Sequence, residues 1–427
     1  MTPTEIPAGA QGPAVPKPAA PKTSPEGPAV RALAGPPMPE VEYISPTGVL
    51  LHYDADTNAW EMMPHRSMLR AGDELASPEP FVNQLRVEKG RLHISLLGGT
   101  RLQLVAPTKN APLGLKISEG RLVLQRKLAG DPQAVVARVV LALYVHGETW
   151  RLELVEPGTV CGVEIIRRTP EQFEQPPGPS AYLGGLYVVE GTVRFADGTH
   201  PEQVIQAKDW ISLAPQERAN LAQADTRPPL FAIPEWLQAK GGYVTPTQRR
   251  YATLFEKEFH PDESVLLALP TVVKSPRPGL SELAVKCLAL IEAHESLVQA
   301  LAEVPHEEAR LAAIHGLRRW LAADPNNGKR LKETLAEYFH PEEAKTVYRL
   351  LWGFSEKDAA NPYISKQLVD WLQADHIAIR QLAFYHVYRL TGQRYDYRPN
   401  APLVQRQSAV NRWRAHLARR NGALVGD

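Results

Sequence analysis

Histidines that stand beside acidic residues are the first candidates for chemistry in this sequence. Phe259–Glu263 reads FHPDE, Phe339–Glu343 reads FHPEE, and Pro305–Glu308 reads PHEE. Histidine together with carboxylates is a combination that binds metal ions. Proline is also favoured at the first position of a helix, and acidic residues are favoured in its first turn by the helix dipole. Because the rules for helix starts explain every residue of the motif, we predict three helix N-termini here and no metal site.

A second candidate metal site combines His52, Asp54, Asp56 and His65, and a strand would place His52 and Asp54 on one face. The stretch DADTN within it is typical of an exposed turn, which is the simpler interpretation. The sequence contains no HExxH, GxSxG or Walker motif, and no GxGxxG after a strand. We therefore predict that the protein is not an enzyme, and that it has no metal, no other cofactor and no small-molecule ligand.

Arginines concentrate near the C-terminus. Residues 377–422 contain nine arginines and one acidic residue, Asp396, with Tyr395, Tyr397 and Trp413 among them. Basic residues interleaved with aromatic ones can bind single-stranded nucleic acid. Arginines near a helix end also suit its dipole and can bridge to neighbouring helices. A basic face that binds an acidic protein lies between these interpretations, and its candidate residues are Arg394, Arg398, Arg412, Arg414 and Arg419.

The composition is that of a globular protein. The 427 residues are 44% hydrophobic and 22% charged, enough for two or three domains. The formal net charge is +1, so no overall field draws the chain to nucleic acid or to an anionic membrane. Cys161 and Cys287 lie in apolar runs of different predicted domains, which favours buried free thiols over a disulfide.

Residues 1–40 are rich in proline and alanine and almost lack large apolar side chains. This composition predicts a disordered linker of polyproline character, with docking to a proline-reading module as the alternative. No run is long enough for a membrane helix, since the best candidate, Val135–Val145, is short, contains Arg138 and reads as a buried strand. The start at Met1 lacks the basic and apolar parts of a signal peptide, so a genuine start there predicts a cytoplasmic protein.

The hydrophobic period changes along the chain, from that of β-strands to that of helices, and these elements must position any functional site. In residues 41–235 apolar and polar residues alternate in short runs that glycines interrupt, which predicts an all-β sandwich or barrel with turns of positive φ at Gly72, Gly90 and Gly191. Glu171–Pro179 (EQFEQPPGP) reads as a loop within this region.

In residues 241–422 apolar residues recur three and four apart, which predicts seven to nine helices in an irregular α-solenoid. Small residues at Ala289, Ala313 and Ala383 should let helices approach closely. Trp413 falls on an apolar stripe with Ala409, Val410 and Leu417, and we expect it to be buried against the helix of residues 375–390.

Two family resemblances follow from these residues. Ala71–Pro107, with its Ala-Gly-Asp turn, Gly90 and the Leu102–Val105 strand, resembles a FecR-like domain, as does Gly185–Leu213. The closing turn of the second stretch departs from the family, because Lys208-Asp209 stands where glycine is usual. The resemblance covers about 150 to 190 residues of this β region and implies a sandwich.

Residues 351–417 are similar to a C-terminal HEAT-like module of bacterial membrane-anchored, anti-sigma-like proteins. The segments that carry this resemblance are Leu351–Gly353, Ile379–Gly392, Tyr397–Pro399 and Val410–Trp413. Neither family has catalytic residues to transfer.

Composition and periodicity predict a disordered Pro/Ala-rich linker (1–40), an all-β domain (41–235) and a helical domain (241–422). The resemblances imply that these domains are a FecR-like sandwich and a HEAT-like irregular α-solenoid. They also imply a non-enzymatic signalling or scaffold protein of the bacterial envelope that acts by protein–protein binding on the periplasmic side. Such proteins usually carry a membrane helix before the linker. Three interpretations are open: the chain is an extracytoplasmic fragment, the gene start lies upstream, or this is a cytoplasmic member. The alternative is a nucleic-acid-associated helical-repeat protein that uses its basic C-terminal face.

Overall fold

A computed structural model describes residues 38–127, 138–173, 182–213, 233–238, 245–261 and 263–426. Most of the predicted linker therefore lies outside the described residues. Residues Pro36–Asp427 form one compact unit, and its described part begins with strands and ends with helices, as the change of period predicts. Because the first helix starts at Glu235, the change from strands to helices falls where the sequence pattern changes.

Sixteen strands are present in the described residues. Their bounds are β1 (Val41–Tyr43), β2 (Leu51–Asp54), β3 (Ala59–Met62), β4 (Met68–Leu69), β5 (Glu74–Ser77), β6 (Val82–Val87), β7 (Leu92–Leu97), β8 (Thr100–Val105), β9 (Leu113–Arg126), β10 (Val139–Val145), β11 (Glu148–Leu154), β12 (Val160–Arg167), β13 (Tyr182–Glu190), β14 (Thr192–Ala196), β15 (Gln203–Gln206) and β16 (Asp209–Ser212). Val139–Val145 is thus a buried strand, as its apolar run predicts, while residues 135–137 lie outside the described part of the chain.

The strands form two sheets that share the long strand β9. One sheet has the order β16-β13-β12-β9-β7-β6-β1-β4 and the other β3-β2-β5-β8-β9-β10-β11-β14-β15. All neighbours are antiparallel except β9 and β10, which are parallel. Strand β9 changes sheet at Gly120, whose φ is +121° and whose added Cβ would lie 2.3 Å from Thr100 Cα. Only glycine fits this crossover without strain or collision.

Alternation gives the β-rich region an apolar core of its own. In β6, β7 and β8 every second residue is buried, and these residues join those of the other strands in one cluster that includes Trp150 and Phe195. The predicted turn glycines Gly72, Gly90 and Gly191 have φ of +100°, +99° and +74°, so the turn assignment is confirmed. Both sheets contribute to this core, which fixes their relative position.

Twelve helices are present in the described residues, eleven of them after residue 241, where the sequence predicts seven to nine. Their bounds are α1 (Glu235–Gln238), α2 (Pro246–Glu256), α3 (Val265–Val273), α4 (Pro278–Leu290), α5 (His294–Glu303), α6 (Glu307–Leu321), α7 (Asn327–Tyr338), α8 (Pro341–Trp352), α9 (Glu356–Ala360), α10 (Pro362–Trp371), α11 (Ile377–Thr391) and α12 (Leu403–Arg419). The predicted small residues are buried at helix contacts: a Cβ added to Gly316 of α6 would lie 2.7 Å from that of Ala289 in α4.

Two of the three predicted helix starts are confirmed and one is wrong. His340 and His306 precede the first residues of α8 and α6, with acidic residues in both first turns. Phe259–Glu263 does not start a helix, because α3 begins only at Val265. A tertiary contact lies at the observed helix start: Ser264, the residue before α3, forms a β-bridge with Glu61 of β3.

The apolar run that starts at Leu283 is divided into two helices, α4 and α5. The division falls at Glu292, which has a φ of +58° and a carboxylate paired with Arg101 (3.2 Å) and Arg167 (3.0 Å) of the β-rich region. The β-rich region therefore determines where α4 ends.

Trp413 is fully buried with Ala409, Val410 and Leu417, so the predicted apolar stripe is confirmed. Its surroundings differ from the prediction. Helix α12 packs on α10, and the Trp413 ring meets Tyr395 at 4.6 Å between centroids, rather than packing chiefly on α11. The loop before α12 carries Tyr395 inward, and sequence periodicity contains no information about this contact.

The β-rich and helical regions share a second core. Buried residues of β2, β3 and β5 and of the segment after β12 belong to the same apolar cluster as the helices. Phe81 stacks on Phe255 of α2 at 6.1 Å and 5°. Ion pairs also join the two regions, with Lys286 at 2.9 Å from Glu79 and Arg319 at 2.9 Å from Glu119. Cys161 and Cys287 are buried free thiols in the two separate cores, as predicted.

Candidate partner-binding surfaces

Two of the C-terminal arginines, Arg419 and Arg420, line a cleft between the ends of α11 and α12. The cleft has a volume of about 330 Å³ and is lined by Leu390, Thr391, Gln393, Tyr395, His416, Arg419, Arg420, Leu424 and Val425. Helix α11 stops here because Gly392 adopts the left-handed conformation and its N–H caps the Tyr388 carbonyl. Two helix ends and the loop between them therefore form the walls of the cleft.

A hydrogen-bonded aromatic group forms the floor of this cleft. The Tyr395 hydroxyl lies 2.9 Å from His416 Nδ1, and His416 Nε2 lies 2.8 Å from the Leu424 carbonyl. Because a carbonyl only accepts, Nε2 donates to Leu424, and Nδ1 of the neutral ring accepts from Tyr395. Trp413 packs under both rings, at 4.6 Å and 5.4 Å between centroids. These hydrogen bonds and ring contacts make the floor rigid, and Arg419 and Arg420 lie beside it in the lining of the cleft.

Three of the five predicted arginines lie at or near this cleft. Arg394 is exposed between two residues that line it, with its guanidinium 4.9 Å above the Tyr388 ring. Arg412 pairs with Asp396 at 2.5 Å and donates to the Tyr395 carbonyl. Arg419 lines the cleft directly.

The other two predicted arginines do not line the cleft. Arg414 faces α10, where it lies 3.6 Å from Asp370 and donates to Gln373 at 3.0 Å. Arg398 is exposed on the loop before α12, and its guanidinium makes no hydrogen bond or ion pair with any described residue. The five candidates therefore form no single continuous face.

The remaining arginines of this segment fall into two groups. Arg380, Arg389 and Arg406 donate to backbone carbonyls and so hold loops to helices. Arg420 lies in the cleft beside Arg419 and belongs with the candidates. Neither the Arg419 nor the Arg420 guanidinium has an ion pair or hydrogen bond with a described residue, so their charges remain available.

A larger cleft, of about 890 Å³, lies at the ends of β10, β11 and β14. Its polar edge is the turn after β14, where Asp197 accepts from the backbone N–H groups of Thr199 and His200, each at 2.9 Å. The His200 ring nitrogen Nδ1 lies 2.8 Å from Asp197 and 2.9 Å from the Thr199 hydroxyl. Burial opposes ionisation of Asp197, but the hydrogen bonds from His200 and Thr199 outweigh it and hold its pKa well below the usual range.

This turn brings together an aspartate, a histidine and a hydroxyl, but their hydrogen bonds are not those of a catalytic triad. In a triad the imidazole uses one nitrogen for the carboxylate and the other for the nucleophile. Here Asp197 and Thr199 both contact Nδ1 of His200, so the ring does not connect the carboxylate to the hydroxyl. The dipeptide Asp197-Gly198 is typical of a tight turn, but the sequence pattern does not indicate that His200 folds back onto Asp197.

The second candidate metal set is a turn, as predicted. The Asp54 carboxylate accepts from the Asp56 N–H at 2.9 Å and from the Thr57 hydroxyl at 3.1 Å, and His65 stacks on Tyr43. Within the described residues, no group of three or more metal-ligating side chains is present. No helix among those residues is both long and apolar enough to cross a bilayer.

A comparison with protein-family models and with curated proteins finds no match for this chain. The assignment of a function therefore depends on the surfaces described above and on the sequence motifs.

Proposed function

We propose that this protein acts by binding another protein, as a non-enzymatic scaffold or signalling component. The observation that carries the proposal is the basic cleft, where Arg419 and Arg420 are exposed on a rigid floor with no carboxylate partner among the described residues. Exposed guanidinium groups on a fixed support suit recognition of carboxylates on a partner.

The shared core supports this proposal. A binding surface loses less entropy on association when the elements that carry it are already fixed. Helices α10, α11 and α12, which carry the arginines, belong to the same buried cluster that includes Phe81 of the β-rich region. We infer that the molecule presents the cleft as part of one rigid body.

We propose further that the β-rich region is a FecR-like sandwich and the helical region a HEAT-like solenoid, and that the protein works in the bacterial envelope on the periplasmic side. These assignments come from the sequence motifs. The arrangement at His200 also supports a binding function over a catalytic one, because its contacts stabilise a turn.

Charge reversal at the exposed arginines tests the proposal. The full-length chain is immobilised and exposed to solubilised envelope proteins from a bacterium that carries the gene. We expect R398E/R419E/R420E to lose a partner that the wild type retains. The matched control, K329E/K345E/K366E, changes the charge equally at lysines whose side chains are 72–85% exposed, and it should retain the partner.

A series of salt concentrations distinguishes the alternative function. Binding of RNA or DNA through several arginine–phosphate contacts weakens steeply with salt, by about one power of concentration per phosphate. Retention of the same proteins by both triple variants, or steep salt-dependent nucleic-acid binding that only the arginine variant loses, would contradict protein binding through this cleft.

A further inference from the structure

After β12 the chain leaves the β-rich region and lies against the helical region. Residues Thr169–Phe173, called the docked segment below, contact α6, the end of α8 and α11. The segment belongs to none of the strands or helices, and only its last residue, Phe173, is buried. The helical region therefore holds a short extended peptide that comes from elsewhere in the same chain.

The helical region recognises the backbone of this segment. Arg318 of α6 donates from Nη2 to the Pro170 carbonyl at 2.5 Å and to the Glu171 carbonyl at 2.9 Å. The Phe173 N–H donates to the Trp352 carbonyl at 3.0 Å, and Gln172 forms an antiparallel bridge with Gly353. Any extended peptide can make contacts of this kind, because they involve main-chain groups.

Glycine 353 makes room for the peptide. Its φ is +98°, and an added Cβ would lie 2.1 Å from the Glu171 carbonyl oxygen. A backbone that approaches so closely is held in a cradle that only glycine provides. The groove thus consists of Arg318, the end of α8 and Gly353.

Two side chains of the segment contact residues of the helical region. The Phe173 ring lies 5.4 Å from Trp352 and 5.3 Å below the Arg318 guanidinium. The Glu171 carboxylate lies 3.2 Å from Arg389 of α11 and is 61% exposed. An acid and an aromatic residue two positions apart are on one face of an extended chain, and this spacing defines what the groove selects.

The groove still has unused donors. Arg318 is 2% exposed, yet its Nε has no hydrogen-bond partner among the described residues, and the same holds for Nε of Arg389. Burial, opposed by Tyr385 and assisted by nearby Arg389, lowers the pKa of Arg318 to about 10, so a negative ligand is favoured here. The docked segment does not meet all the hydrogen-bonding capacity of its site.

We propose that this groove is a peptide-binding site which the docked segment occupies in cis, and that an extended partner segment with an acid followed two residues later by an aromatic residue takes its place. The inference rests on the proposed function. It adds this groove as a second binding surface and states which residues of the partner it would recognise. Occupation in cis then limits partner binding until the segment is displaced.

The test opens the groove and supplies the peptide in trans. The probe is a fluorescent peptide with the sequence of Arg168–Phe173, RTPEQF, and binding is measured by anisotropy. We expect the full-length E171A/F173A chain to bind it saturably and at least tenfold more tightly than the wild type does. A control peptide with alanine for phenylalanine should bind the opened chain at least tenfold more weakly, as should RTPEQF when Arg318→Met is added.

Circular dichroism shows whether the opened chain folds, and F173A alone replaces it if it does not. Hydrogen exchange of the wild type gives an independent result: excess RTPEQF should speed exchange of the Phe173 amide, and the control peptide should not. A folded opened chain that binds neither peptide or both equally, or a Phe173 amide unaffected by millimolar RTPEQF, would overturn the inference. Loss of partner binding in R398E/R419E/R420E would still support the proposed function, so the two proposals can fail separately.

Discussion

The two regions of this molecule are stabilised in different ways. The β-rich region closes a core with its own strands, from Val41 to Leu213. The core of the helical region takes in Val49, Trp60 and Phe81 from the strands and Phe173 from the docked segment. It also contains two nearly fully buried arginines, Arg310 and Arg318, without a carboxylate partner within reach among the described residues.

This difference shows that a change of sequence pattern need not separate two independently stable domains. Burying an arginine costs free energy unless its donors are satisfied. Arg310 satisfies donors of both Nη atoms within the helical region, through the Val304 carbonyl, Gln381 and Asn400, while its Nε has no partner among the described residues. Arg318 satisfies them partly through carbonyls of the docked segment. The helical region is therefore complete only with the β-rich region in place.

The largest expected effect belongs to the aromatic floor of the C-terminal cleft. Trp413→Ala removes a fully buried indole, and we expect a loss of about 3–5 kcal/mol in the free energy of unfolding. Urea denaturation measures this loss. Tyr363→Ala, at a side chain that is 75% exposed, is the control and should change stability by less than about 0.5 kcal/mol. Equal losses for both variants would show that α12 is not sealed by Trp413.

The buried arginines test the comparison itself. Arg318→Ala leaves the buried Leu351 carbonyl and the carbonyls of Pro170 and Glu171 without their donor, which should cost about 2–3 kcal/mol. It should also speed hydrogen exchange of the Phe173 amide, whereas Arg310→Ala should destabilise the chain without this local effect. If both variants left the Phe173 amide equally protected, Arg318 would not join the two regions.

Two glycines of the β-rich region test how closely its own core is packed. At Gly191 an added Cβ would lie 2.3 Å from the Thr159 hydroxyl oxygen, whereas nothing lies within 4 Å at Gly72. Both have positive φ, so Gly72→Ala should cost about 1 kcal/mol for backbone strain and Gly191→Ala about 2–3 kcal/mol. Thermal denaturation gives the order, and a larger loss at Gly72 would contradict the close packing at Gly191.

The smallest effect is on the dependence of stability on pH. Burial, and then Arg318, hold the pKa of His386 well below its ordinary value, so the unfolded chain binds this proton more tightly than the folded one. Its contribution to stability is full above about pH 6.5 and is lost as the pH falls towards the folded-state pKa. We expect a slope of at most about 1.4 kcal/mol per pH unit, which His386→Gln should remove. An unchanged slope in that variant would assign the effect to other histidines.

Local patterns predicted what depends on local interactions. The alternation of β6 to β8, the helix start at His340 and the apolar stripe with Trp413 follow from period, capping and turn chemistry. The turn glycine Gly72 follows from the same kind of rule, because its φ is set by neighbours in the chain.

The features that were missed depend on contacts between distant residues. Sequence does not reveal that Ser264 pairs with Glu61 or that Glu292 meets two arginines, and these contacts move helix ends. The candidate arginines were found from composition. Arg414 nevertheless faces α10 and not the cleft, because α12 packs on α10. Arg318 had one signal, its place on the apolar stripe of α6 with Ile314 and Leu321.

The central claim is that the helical region depends on the β-rich region, and cutting the chain between them tests it most directly. A protease recognition sequence is inserted between Lys240 and Gly241, the purified protein is cleaved, and the product is analysed by size exclusion and urea denaturation. We predict that the two pieces co-elute and unfold in one transition, because Phe81, Phe173 and Arg318 still join them. Separate elution of two folded pieces, each with its own transition, would contradict the claim.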